Sequence, residues 1–175
     1  GYDYYVLPNV LLSRILESVG GHDRSVILGS PRYNEEWIEI ASELSPTYDA
    51  PDGTSDCNVL FFIPKRTVPV HWEEVYQSIK IVGNIPGVKV VVKGHPRSSY
   101  RQIEGLSATS EATMSVENEQ HSISLLKWAD AVIDFGSSIA FEAIVRDLPV
   151  IIPEYLHPNR STIAERMETT QADSR

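Results

Sequence analysis

Cysteine is nearly missing from this chain: Cys57 is the only one in 175 residues. An intrachain disulfide is therefore excluded, and so is a thiolate metal cluster. No apolar run approaches the roughly 20 residues that a membrane-spanning helix needs. The first residues show no charged-then-apolar leader pattern either. The expectation is a reducing, cytoplasmic setting. Positive charge is also scarce, with 15 Lys and Arg against 24 Asp and Glu, a formal charge of −9. A nucleic-acid partner would need a basic field and is not expected. Among the 5 histidines none stands at metal-ligand spacing from a carboxylate, so no metal and no cofactor is inferred.

What remains is globular: 42% hydrophobic and 22% charged residues, with length enough for a real core. From residue 57 apolar runs alternate with helical periodicity. "NVLFFI" (58–63), "VKVVVK" (88–93), "ATMSV" (112–116), "AVIDF" (131–135) and "PVIIP" (149–153) read as strands. Between them lie "HWEEVYQSIKIVGNI" (71–85), "SYRQIEGL" (99–106), "SISLLKWA" (122–129) and "SIAFEAIVRD" (138–147), which read as helices. In the first of these helices Trp72, Val75, Ile79 and Val82 share one face. Several strands are apolar at successive positions, so both faces must be covered. That is the pattern of a Rossmann-like α/β fold, a parallel sheet flanked by helices. The earlier chain holds one strand–helix–strand unit, "YYVLP", "NVLLSRILESVG" and "SVILGSP", followed by the helix "NEEWIEIASEL" (34–44). Residues 46–56 are polar and turn-rich and read as a linker. The expected organisation is 1–45 as the remnant of an N-terminal Rossmann-like domain with its hinge helix, the linker 46–56, and a domain over 57–175.

Ligands of open parallel sheets bind at the carboxyl ends of the strands, so the residues just past each strand carry the chemistry. They are Lys65 and Arg66 in "PKR", then His95 and Arg97 in "GHPRSS" directly behind the strand-end Lys93, then Gly136, Ser137 and Ser138 in "GSS". His157 and Arg160 stand after the last strand. In an acidic protein this is a local concentration of positive and hydrogen-bonding groups, suited to an anion. Gly136 permits a tight turn, and either serine can cap the helix that follows, where free N–H groups favour phosphate. Glu142 lies one helical turn past Ser138 and would suit a ribose diol, although most helix glutamates simply face solvent. His95 fits an anion-binding role better than that of a general base.

"VVVKGHPR" resembles the strand–Lys-x-His-Pro element of bacterial capsule and glycerophosphate transferases. "ADAVIDFGSSIAFEAIVRDLPVIIPEYLH" is similar to the acidic–turn–Ser-Ser–helix–Glu element that follows it there, with Leu148 where that family usually has lysine. "VILGSPRYNEEW" resembles the end of the N-terminal domain and the entry to the hinge. Together these resemble the C-terminal, donor-binding half of GT-B-type bacterial glycosyltransferases of capsule, teichoic acid and lipopolysaccharide assembly. UDP-GlcNAc 2-epimerases and CDP-glycerol glycerophosphotransferases share that architecture. The resemblance implies a nucleotide-activated sugar or alditol donor, with Ser137 and Ser138 on its phosphates and Glu142 on the ribose. Lys65, Arg66, Lys93, His95 and Arg97 would lie beside the phosphates, with His95 as the catalytic candidate. It further implies a polysaccharide or lipid-linked acceptor held by a missing N-terminal domain. The whole protein would be cytoplasmic, with peripheral association at the inner face of the membrane, and the isolated chain would be inactive. The alternatives are a 2-epimerase-like isomerase and a non-catalytic nucleotide-binding or scaffolding module.

Overall fold

The sheet that the apolar runs demand is present in the computed structural model, which describes residues 3–20, 24–50, 55–64, 68–95 and 114–153. The chain divides into two compact units at Ala41–Ser42. In the first unit, strands β1 (Tyr5–Leu7) and β2 (Ser25–Ile27) pair in parallel, joined through helix α1 (Val10–Ser18). Asn9 starts α1 by accepting the Leu12 N–H at 3.0 Å, a side-chain N-cap. Tyr5, Val6, Val26 and Ile27 all remain exposed on these strands. Helix α2 (Glu35–Leu44) begins in this unit and ends in the next.

The second unit carries the core. Its strands are β3 (Cys57–Phe62), β4 (Val88–Lys93), β5 (Met114–Glu117), β6 (Ala131–Ile133) and β7 (Val150–Ile151). They form one all-parallel sheet in the order β5-β4-β3-β6-β7. Helices α3 (Trp72–Gly83), α4 (Ser122–Trp128) and α5 (Ile139–Val145) connect and cover it. Side chains alternate across a strand, so the consecutive apolar residues of β3 and β4 split between two cores. Val59, Phe61, Ile63, Val90 and Val92 pack with Val75 and Ile79 of α3 on one face. Leu60, Phe62 and Val91 pack with Leu125, Leu126, Ile139 and Ala143 of α4 and α5 on the other. The second unit therefore has a Rossmann-like α/β fold.

The structure departs from the sequence expectation in the 46–56 stretch. Tyr48 is buried in the second core and stands edge-on to Trp128 at a centroid distance of 5.6 Å. Its hydroxyl donates to Glu117 Oε1 at 3.1 Å, at the end of β5. Residues 46–50 are thus part of the packed unit, in place of a linker. Lys127 fixes the approach to them by donating to the carbonyls of Ser42 (3.0 Å) and Ser45 (3.3 Å) at the carboxyl end of α2. "AVIDF" also stops earlier than its composition suggests: β6 ends at Ile133 because Asp134 begins a turn. The expected helix over 99–106 lies outside the described residues.

Candidate functional site

All five strands run parallel, so every carboxyl end lies on one edge of the sheet. Phe61 of β3 is level with Val92 of β4 on one side and Ile133 of β6 on the other. The residues directly after these three strands, Ile63, Gly94 and Asp134, therefore lie on one edge. The chain builds outward from β3 to β4 and β5, then returns to place β6 and β7 on the other side. Between β3 and β6 the strand order reverses. In doubly wound folds such a reversal, at the carboxyl edge, is where ligands bind.

The turn 134–138 follows β6 on that edge. Asp134 is almost fully buried at 1% exposure, and its carboxylate organises the turn. Oδ2 accepts the Ser137 N–H at 2.6 Å and Oδ1 accepts the Ser137 hydroxyl at 2.6 Å. Burial pushes the Asp134 carboxyl above its usual range, while Ser137 and the amides of Gly136 and Phe135 pull it partly back. Phe135 packs against the first core, its ring 5.8 Å from Phe61. Gly136 takes φ +82 with open space where a Cβ would stand. Gly136, Ser137 and Ser138 are all exposed.

Neither serine hydroxyl caps α5 as anticipated. Ser137 turns inward to Asp134, and Ser138 occupies the cap position without a side-chain cap bond. Glu142 departs from the solvent-facing expectation: it is buried at 6% exposure, between Ala140 and Ala143, which are buried too. A seven-residue helix wedged over the sheet leaves only Phe141 and Ile144 outward among its middle positions.

Lys93 is placed differently from the other basic candidates. It is 5% exposed, and its ammonium donates to the carbonyls of Asn118 (2.8 Å) and Gln120 (2.6 Å) just past β5. Burial holds its pKa below the ordinary lysine value, partly offset by the Glu117 carboxylate. Two of its three ammonium hydrogens are thus engaged by backbone carbonyls. Gly94 is buried and His95 half-buried on the same edge. Lys65, Arg66, Arg97, His157 and Arg160 lie outside the described residues.

Two residues of this region escaped the sequence reading. Asp134 was detectable, since an aspartate three residues before a serine at a strand end is a local turn signature. Tyr48 was not, because its partner Glu117 is 69 residues away. Among the described residues no group of histidines, cysteines and carboxylates could hold a metal ion, and no helix is long and apolar enough to cross a membrane. The fold defines an α/β unit with a doubly wound parallel sheet. No protein-family model matches the chain, and no curated protein sequence matches it significantly.

Proposed function

We propose that the second unit binds the phosphate portion of a nucleotide-activated sugar or alditol and serves a GT-B-type transferase of surface polysaccharide assembly. The observation that carries this reading is the reversal of strand order between β3 and β6, with the exposed 136–138 turn at its carboxyl end. The resemblance of "VVVKGHPR" and "DFGSSIAFEA" to transferase elements supports it, since both segments lead onto this edge. In this reading Gly136 and Ser138 approach the phosphates, while His95, Arg97, Lys65 and Arg66 supply charge. Glu142 takes the ribose hydroxyls. Lys93 is left out, since backbone carbonyls engage two of its three ammonium hydrogens.

Transfer would form a bond from an acceptor hydroxyl oxygen to the donor carbon or phosphorus, and break the bond to the departing nucleotide phosphate. The hydroxyl proton would pass to a base on the domain that holds the acceptor, since a His95 that supplies charge to the phosphates has no lone pair to take it. Donors fixed at this edge would stabilise the charge developing on the leaving phosphate. The acceptor would be a polysaccharide or lipid-linked hydroxyl held by a further domain, with the work done at the cytoplasmic face of the membrane.

A thermal-shift series with nucleoside diphosphates and their sugar and alditol conjugates tests the reading. A ligand at 100-fold over its dissociation constant should stabilise the unit by about 2.7 kcal/mol. No shift with any member of the series would overturn donor binding. Donor turnover without an acceptor would favour an isomerase instead.

A further inference from the structure

We draw no further inference here: the strongest candidate, the exposed apolar surface of the first unit, with Val6 on β1, Leu11 and Ile15 on α1 and Val26 on β2, carries nothing because no described residue shows what covers it.

Discussion

Replacing Lys93 by methionine separates a structural cation from a ligand. Methionine keeps the apolar stem in the site where lysine is 5% exposed, and removes only the ammonium. What is lost are two charged hydrogen bonds, to Asn118 O at 2.8 Å and Gln120 O at 2.6 Å. Such bonds contribute about 1.5–3 kcal/mol each, and a buried acceptor left bare costs a similar amount. Asn118 and Gln120 are themselves only half-buried, so water can replace part of the loss. Relief of the lysine's own burial offsets a little more. We expect Lys93→Met to cost about 2–4 kcal/mol, a large fraction of a typical domain stability of roughly 5–15 kcal/mol. With a urea slope of about 2 kcal/mol per molar, the midpoint should fall by about 1–2 M. The assay is urea unfolding followed by tryptophan fluorescence in a Trp37→Phe background. Trp72 and Trp128 then report on the second unit, to which both belong. Nucleoside diphosphate affinity, measured well below the transition, should change less than about twofold, because the ammonium faces backbone carbonyls. An unchanged midpoint together with a tenfold loss of affinity would refute the reasoning and return Lys93 to the ligand.

Two further outcomes follow from the turns and from Asp134. Gly87 and Gly136 both have positive φ, at +78 and +82, but a Cβ at Gly87 would run into the Asp56 carboxylate whereas Gly136 has open space. Gly136→Ala should cost about 1–2 kcal/mol from backbone strain alone, and Gly87→Ala more than that by urea denaturation; equal costs would mean that Asp56 simply moves aside. Asp134 has a folded-state pKa above the ordinary 3.8, so the stability it contributes is present at low pH and lost as pH rises through its raised value. The unaltered chain should therefore gain stability relative to Asp134→Asn as pH falls from 7 toward 4, and a constant difference across that range would contradict the burial argument.

The sequence alone determined the period of each element and the kind of sheet. Residues 59–63 and 90–92 are apolar at every position, as a strand covered on both faces requires, and β3 and β4 divide their side chains between two cores accordingly. The Gly136 turn was equally legible, because a positive φ at a strand end needs glycine and nothing distant. Tertiary structure decided where each polar side chain points. Lys93 sits in sequence beside His95 and Arg97 and looks like one cluster with them. Its place at the end of the strand was legible, but the chain 25 and 27 residues further on supplies the two carbonyls that take its ammonium. Tyr48 lies in a stretch with every local mark of a linker, yet the second core claims its ring and β5 its hydroxyl. Glu142 was expected to face solvent as most helix glutamates do, yet it is buried while the apolar Phe141 and Ile144 of the same helix are exposed. The strand order, which reverses between β3 and β6, is invisible to any local pattern. Periodicity records the covering each segment needs, whereas hydrogen-bond partners and strand neighbours depend on which remote segments the fold brings to its side.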